Sequence, residues 1–310
     1  MKDKIEIHLH TNTSCNLHCL HCYNNSGGNN IVIMPEEMVL ALLTEFSDKY
    51  DAEFHLEGGE VFLRESLLVS MNQLPDDVLR NVTITTNGTI RLASPEVLSM
   101  LSRISALRLS VEGHTDQQQR AIRGIDITTV LENAEYYKNN HVPVWIRVTL
   151  NRNNYTDFLE GTLTDLQNHG FENIQVYEFQ SVGRGKDNTS MFAIDDIGEF
   201  LNTLAADDEI LKGNVRMMFP RRRIPEILAH KDILEQHGYV VELIGEENGL
   251  SIHANGDAYL CSWDNDNEHI LFNVSDLSED ELFHTLQDMN LTHGCEYCSA
   301  IRIIKKANKC

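Results

Sequence analysis

The sequence of 310 residues has no apolar run near the ~18 residues that a membrane-spanning helix needs, so we expect no membrane association. It is also poor in basic residues, with 25 Lys and Arg against 47 Asp and Glu and a formal charge of −22. Phosphate binding depends on clustered cations, so this balance argues against nucleic acid as the main partner. Hydrophobic residues form 42% of the chain, which excludes a disordered protein.

The first residues, MKDKIEIHLHTN, contain neither an apolar core nor a small-residue cleavage site, so the sequence predicts no signal peptide and a cytoplasmic location. Disulfides are rare in that compartment, and the odd number of seven cysteines would leave one unpaired. Metal binding or redox chemistry is therefore the expected use of the cysteines.

Short β-rich runs alternate with amphipathic helical patterns over the first 190 residues. Helical patterns at 35–49, 94–104, 129–139 and 155–169 complete β-then-α units, which predict an α/β fold with parallel strands, as in a partial (β/α)6 TIM-like barrel. Functional groups in such a barrel lie at the C-terminal ends of the strands. The six predicted strands are Ile5–His10, Ala52–Glu57, Val82–Thr86, Leu107–Val111, Val144–Leu150 and Ile174–Gln180.

The pattern changes after about residue 190. Helices are predicted over 195–206, 225–237 and 279–289, and Asn255-Gly256 predicts a hairpin between Leu250–His253 and Ala258–Cys261. We therefore expect two domains, residues 1–190 as the barrel and residues 191–310 as a small α+β domain.

Cys15, Cys19 and Cys22 follow the first strand with the spacing C-x3-C-x2-C. Three thiolates on one loop can hold an iron–sulfur cluster and leave one iron open to an external ligand. A zinc site with His18 or His21 as the fourth ligand is the alternative. The position at the C-terminal end of a first barrel strand favours an active-site cluster.

The segment CNLHCLHCY, residues 15–23, resembles the cluster loop of the radical S-adenosylmethionine (radical SAM) enzymes. The resemblance implies that the three cysteines hold a [4Fe–4S] cluster and that the amino and carboxylate groups of SAM chelate its fourth iron. Reductive cleavage of SAM then yields a 5′-deoxyadenosyl radical that abstracts hydrogen from the substrate. Tyr23 matches a family position near the adenine.

Further motifs end the later strands in the order that the family shows. Gly58-Gly59-Glu60 resembles the segment that contacts the SAM amino group, and glycine suits a backbone that approaches a ligand closely. Thr85–Gly88 resembles the segment near the ribose, and Leu109–Gly113 resembles S-x-D-G with Glu112 in place of aspartate. Val182–Gly185 resembles a G-R segment of peptide-modifying members. The cofactor-binding residues so implied are Tyr23, Gly58, Gly59, Glu60, Asn87, Ser110 and Arg123.

The other four cysteines lie near the C-terminus. Gly256 to Cys261 gives G-x4-C, and the later C-x2-C resembles the auxiliary-cluster extensions called SPASM and twitch. The cysteine that usually precedes the G-x4-C glycine is missing, so we expect one auxiliary [4Fe–4S] cluster. Zinc on the same thiolates and an unligated Cys310 stay open as alternatives. The expected ligands are Cys261, Cys295, Cys298 and Cys310.

The resemblance implies oxidative modification, such as a cross-link, of a ribosomally made peptide. No thiol is spare as a hydrogen-atom donor once both clusters are assigned, which favours net oxidation. Arg147 and Glu178 are candidate catalytic residues, although structural salt bridges are the expected role of each. The basic cluster at 221–223 is expected to be a solvated face, with binding of an acidic peptide or phosphate as the alternative.

The expected partner for electron transfer is a reductase or flavodoxin-type donor. Because no peptide-recognition domain precedes the barrel, we expect the leader of a peptide substrate to bind a separate recognition protein or another surface of this one. Alternative functions are dehydrogenation of a small molecule and formylglycine-type activation of another enzyme. A structural metal or electron-transfer protein is the non-enzymatic alternative.

Overall fold

The computed structural model describes residues 2–206, 213–244, 248–264, 269–292 and 296–305. These residues form a sheet of twelve strands with the order β11-β10-β9-β1-β2-β3-β4-β5-β6-β7-β12-β8. The strands are β1 (Lys4–His10), β2 (Asp51–Glu57), β3 (Val82–Thr86), β4 (Ala106–Val111), β5 (Val144–Leu150), β6 (Asn173–Glu178), β7 (Asn214–Pro220), β8 (Tyr239–Leu243), β9 (Gly249–Ile252), β10 (Asp257–Tyr259), β11 (Phe272–Asn273) and β12 (Ser299–Lys305).

Strands β1 to β7 pair in chain order and are parallel, and β9 adds a further parallel strand beside β1. This arrangement confirms the predicted α/β fold and is that of a partial TIM-like barrel. Sequence analysis predicted six of these parallel strands and missed the seventh, β7. Its sequence, NVRMMFP, has a single β-branched residue to mark it as a strand. Strands from both sides of residue 190 belong to this sheet, and the division into two domains stays a prediction.

The helices cover the outer face of the sheet, and among the described residues none is long and apolar enough to cross a membrane. The predicted helix at 155–169 consists of a π-helical turn, Phe158–Leu163, followed by an α-helix at Thr164–Asn168. The predicted helix at 225–237 is interrupted at His230. The helices are α1 (Glu36–Lys49), α2 (Glu65–Met71), α3 (Asp76–Leu79), α4 (Pro95–Leu101), α5 (Asp116–Arg123), α6 (Ile127–Asn139), α7 (Thr164–Asn168), α8 (Arg184–Asp187), α9 (Thr189–Phe192), α10 (Gly198–Ala206), α11 (Ile224–Ala229), α12 (Lys231–Gln236) and α13 (Glu279–Gln287).

Alternation along β1 separates the core from the barrel interior. Ile5, Ile7 and Leu9 are buried in the main hydrophobic core, while His8 and His10 point to the other face. Parallel register then brings polar residues of successive strands side by side at one end of the barrel. The fold thus places the C-terminal strand ends, with their polar side chains, around one opening.

Candidate active site

A cavity of about 910 Å³ opens at the C-terminal ends of β1 to β6. Cys15, Cys19 and Cys22 lie on its wall together with residues from five later strand ends. Glu60 is not among the lining residues, although Gly58 and Gly59 before it are. The other predicted site residues of the first 190 that line the cavity are Tyr23, Gly58, Gly59, Asn87, Ser110, Arg123, Arg147 and Glu178.

The cysteine loop rests on the Gly58-Gly59 backbone. The Gly59 N–H donates to the Asn12 carbonyl at 2.7 Å, and the Glu60 N–H donates to the Ser14 carbonyl at 2.7 Å. A Cβ atom at Gly59 would stand 1.8 Å from the Ser14 carbonyl oxygen. Close approach of a ligand is one reason to expect glycine here. The structure gives a second, because the backbone of the cysteine loop lies too close to leave room for a side chain.

The Gly183-Arg184 segment holds the loop from its other side. Arg184 Nη1 donates to the Cys19 carbonyl at 2.7 Å, and the Arg184 N–H donates to the Cys22 carbonyl at 2.9 Å. Gly183 has a φ of +54°, and a Cβ atom there would lie 2.1 Å from the Tyr23 carbonyl oxygen. The G-R motif after β6 thus fixes the backbone that carries the thiols.

The three thiols lie among nitrogen donors. The Leu17 N–H is 3.4 Å and Asn87 Nδ2 is 3.8 Å from Cys15 Sγ, and Arg123 Nη1 is 3.8 Å from Cys19 Sγ. Burial raises the pKa of Cys19 to about 11, although Arg123 opposes the rise. A metal centre reverses this effect because it deprotonates the thiols that coordinate it. Three thiols in one open cavity, two of them beside N–H donors, fit a cluster that leaves one position for an external ligand.

Comparison with known families agrees with this geometry. A model of the radical SAM superfamily matches residues 9–161. This chain belongs to the radical SAM superfamily. Membership implies a [4Fe–4S] cluster and SAM, and makes the protein an enzyme of radical chemistry.

Relatives of this radical SAM chain differ in what their names say they do. A probable GTP 3′,8-cyclase of Saccharolobus islandicus (strain Y.N.15.51 / Yellowstone #2) is 25% identical over 300 residues, which cover 93% of this chain and 91% of the relative. Streptococcus suis SuiB bound to the precursor peptide SuiA has a TM-score of 0.70 at 16% identity, over 94% of this chain and 66% of that one. Native anSMEcpe with bound AdoMet has a TM-score of 0.63 at 17% identity, over 95% and 83%. At these identities the structural likeness establishes the fold.

Glu60 of the radical SAM motif connects two strand ends. Its buried carboxylate accepts hydrogen bonds from Thr86 Oγ1 at 2.7 Å, the Asn87 N–H at 2.7 Å and the Phe62 N–H at 2.9 Å. Burial raises the pKa of Glu60, while these donors oppose the rise. The carboxylate thus joins the ends of β2 and β3 behind the cavity wall, and its contact with the SAM amino group stays a prediction.

Arg123 is held beside the thiols by Glu112, a pairing that sequence analysis did not predict. Helix α5 ends at Arg123 because Gly124 adopts the left-handed conformation with a φ of +74°. Its Nε and Nη2 atoms lie 2.8 and 2.6 Å from Glu112 Oε1, and His21 Nε2 lies 2.7 Å from the same oxygen. Burial disfavours ionisation of Glu112, but His21 and Arg123 outweigh it and keep its pKa below the usual value.

Tyr23 joins the first cysteine group to the second half of the chain. Its hydroxyl donates to the Glu57 carboxylate, and its ring meets Trp263 edge-on at a centroid distance of 5.2 Å. The Trp263 N–H donates to Cys261 Sγ at 3.5 Å. Sequence reasoning missed both partners; the available signals were the position of Glu57 at a strand end and that of Trp263 two residues after Cys261.

A second group of possible metal ligands lies inside the radical SAM barrel, where donor atoms of Glu6, His8 and His55 fall within 4.8 Å of one another. His55 Nδ1 accepts a hydrogen bond from Arg108 Nη1 at 3.1 Å, so His55 Nε2 carries the ring hydrogen and donates to Glu6 at 2.7 Å. Burial opposes protonation of His8, but Glu57 and Glu6 raise its pKa. The Arg108 guanidinium beside His55 and the two carboxylates beside His8 favour a charge network here over a metal site.

The two catalytic candidates have structural partners. Arg222 and Arg223 donate to Glu178 Oε1 at 2.8 and 2.9 Å, and the Glu178 side chain is fully buried. The Arg147 guanidinium lies over the Tyr177 ring at 4.9 Å. The expectation of a solvated face is wrong for Arg223, whose side chain is 4% exposed because it is paired with Glu178. Catalytic roles for Glu178 and Arg147 stay predictions.

The substitution Glu178→Gln is expected to lower the free energy of unfolding by about 2–3 kcal/mol, because it removes the fully buried carboxylate that pairs with the Arg223 guanidinium and leaves the partly exposed Glu226 as the remaining counter-charge. Chemical denaturation of both proteins measures the difference. Glu242→Gln is the control, since Glu242 pairs with Arg302 in a bridge that is about 40% exposed on both sides and is worth less than about 1 kcal/mol. Equal losses in the two variants would contradict this expectation.

Of the four C-terminal cysteines, Cys261 and Cys298 come together, with 3.6 Å between their sulfur atoms. Cys295 and Cys310 lie outside the described residues. Two thiolates on one tetrahedral ion at 2.3 Å would stand about 3.8 Å apart, so this pair is close enough to share a metal. Both the auxiliary [4Fe–4S] cluster and zinc remain compatible with the pair.

Proposed function

We propose that this protein is a radical SAM oxidoreductase that modifies a ribosomally made peptide by net oxidation, such as a cross-link. The observation that carries the proposal is the convergence of Cys15, Cys19 and Cys22 on one cavity. The same cavity is lined by the Gly58-Gly59 backbone and by polar and aromatic side chains of five later strand ends, a mixture that suits SAM together with one substrate side chain.

In this proposal each wall of the cavity has a separate task. When bound, the cluster and SAM supply the 5′-deoxyadenosyl radical that abstracts hydrogen from the substrate. The three thiols hold the cluster, and the exposed backbone of Gly58 and Gly59 with the polar side chains of Asn87, Ser110 and Arg123 would hold SAM. Arg147, Tyr177 and Trp263 line the remaining wall and would bound the substrate.

Net oxidation follows from the use of the cysteines. The five thiols of the described residues fall in two groups, Cys15, Cys19 and Cys22 at the cavity and Cys261 with Cys298 beyond Trp263. None is left to return a hydrogen atom to the substrate radical. We therefore propose that an auxiliary cluster in residues 191–310 accepts the substrate's electron, and that an external reductase or flavodoxin-type protein supplies the electron for SAM cleavage.

A second candidate is oxidation or rearrangement of a nucleotide. The relatives named probable GTP 3′,8-cyclase match over nearly the full length of both chains, which is the observation in its favour. Peptide modification is supported instead by the likeness in fold to SuiB, which was solved with a precursor peptide.

The experiment incubates anaerobically reconstituted protein with dithionite, SAM and one candidate substrate. The substrates are GTP and synthetic peptides with the sequences that short reading frames beside the gene encode. We expect 5′-deoxyadenosine and a peptide lighter by two hydrogens. Conversion of GTP would support the second candidate. A peptide of unchanged mass that contains D-amino acids would contradict net oxidation, and absence of 5′-deoxyadenosine from fully loaded protein would contradict the whole proposal.

The auxiliary cluster makes a separate prediction about metal content. Reconstituted protein should hold about eight iron and eight sulfide ions, and Cys261→Ala should reduce both to about four, because one of two clusters is lost. Metal and acid-labile sulfide analysis measures this. One zinc ion with about four irons in the unaltered protein would instead place zinc on the C-terminal thiols.

A further inference from the structure

Glu112, at the C-terminal end of β4, is held rigidly behind the cavity wall. Its side chain is fully buried, and it is not among the residues that line the cavity. Its N–H donates to Gln119 Oε1 at 2.7 Å, and its carbonyl accepts from Asn154 Nδ2 at 2.8 Å. Backbone and carboxylate together therefore have one defined position, from which Glu112 binds two other side chains.

Both of those side chains lie against the cysteine loop. His21, between Cys19 and Cys22, has its Nε2 atom 2.7 Å from Glu112 Oε1. Arg123 gives Nε and Nη2 to the same oxygen, which leaves Nη1 pointing to Cys19 Sγ at 3.8 Å. The arrangement is an ion pair whose cation contacts a thiol while its anion is sheltered from the cavity.

We propose that Glu112 is a positioning residue that holds the Arg123 guanidinium against Cys19 and thereby raises the reduction potential of the cluster ligated there. This inference rests on the proposed function, since it requires a cluster at Cys19. Hydrogen bonds to sulfur are among the groups that set iron–sulfur potentials. Reduction adds negative charge to the cluster, so a cation fixed beside one sulfur favours the reduced form.

Fixation is the part that Glu112 contributes. The Arg123 side chain lines an open cavity and is 11% exposed, so protein atoms do not enclose the guanidinium on every side. Two hydrogen bonds to one buried carboxylate oxygen hold it in place. Partners of this kind, one step removed from a metal ligand, change affinity or activity by about 10–100-fold when they are lost.

The test is a redox titration followed by EPR spectroscopy on reconstituted protein without substrate. Glu112→Gln keeps the volume and an acceptor oxygen but removes the charge. We expect a lower midpoint potential than in the unaltered protein, with 5′-deoxyadenosine formed about tenfold more slowly. Arg123→Gln should lower the potential as well, and adding Glu112→Gln to it should lower the potential no further, because Glu112 acts through Arg123.

Glu242→Gln is the control. It also removes the charge of an arginine-bound carboxylate on a strand, but its partner is Arg302 and neither residue lines the cavity, so the potential should stay unchanged. An unchanged potential in Glu112→Gln, or an additional shift in the double variant, would overturn the inference. Should Glu112→Gln fail to fold, Arg123→Gln against the control decides it. Iron content distinguishes a failure of this inference from a failure of the proposed function, because unaltered protein that takes up no cluster contradicts the proposed function itself.

Discussion

Replacing Cys15, Cys19 or Cys22 by alanine is expected to reduce 5′-deoxyadenosine formation to the level found without protein. Each substitution removes one of three ligands from a site that already keeps one position open, so the remaining two thiolates cannot hold the cluster. Anaerobic incubation with SAM and dithionite, followed by chromatographic measurement of 5′-deoxyadenosine, gives the result directly. Iron analysis on the same samples should show the loss of about four irons.

The control for the cysteine variants is Thr44→Ala, an exposed position on α1 outside the cavity. It should leave both iron content and 5′-deoxyadenosine formation unchanged. Replacement by serine tests the chemistry of the ligand, because serine preserves shape and should fail as alanine does. Substantial 5′-deoxyadenosine formation by any of the three alanine variants would contradict the assignment of that thiol.

Gly59→Ala is expected to cost about 3 kcal/mol or more in the free energy of unfolding and to reduce cluster uptake. The added Cβ atom would lie 1.8 Å from the Ser14 carbonyl oxygen and 2.9 Å from the Thr13 carbonyl carbon, both of them backbone atoms that cannot turn aside. Relief requires movement of the cysteine loop away from the second strand. Chemical denaturation and iron content after reconstitution measure the two effects.

Gly28→Ala is the matched control for Gly59→Ala. Gly28 lies in the segment that follows the cysteines, and a Cβ atom there meets nothing within 4 Å. The same exchange should therefore leave stability within about 0.5 kcal/mol and the iron content unchanged. Similar losses in both variants would show that the steric contact at Gly59 is not the cause.

The six predicted strands agree with the observed ones within two residues, because each is an apolar or β-branched run whose burial on the helix side leaves a clear signal. The later strands were harder to predict. β12 follows both β7 and β8 in the chain, yet it lies between them in the sheet and pairs antiparallel with each. Such pairing depends on tertiary contacts and leaves little trace in local sequence.

The site shows the same division. The thiols and the motif residues at strand ends could be found because each carries a local spacing, and the structure brings most of them to one cavity. The contacts that hold these residues in place could not be predicted, because they join distant parts of the sequence. His21 contacts Glu112, 91 positions away, and Arg184 contacts Cys19, 165 positions away. Burial of Arg223 likewise depends on Glu178, a residue 45 positions away.

The Arg184 contact also bears on the order in which the protein is made. During synthesis the thiols emerge with the first 22 residues, whereas the guanidinium that binds the Cys19 carbonyl leaves the ribosome more than 160 residues later. Until then the loop has no clamp on one side, and closing so long a segment carries a substantial entropic cost. The backbone that carries the thiols is therefore fixed on this side only after the sixth strand has been translated.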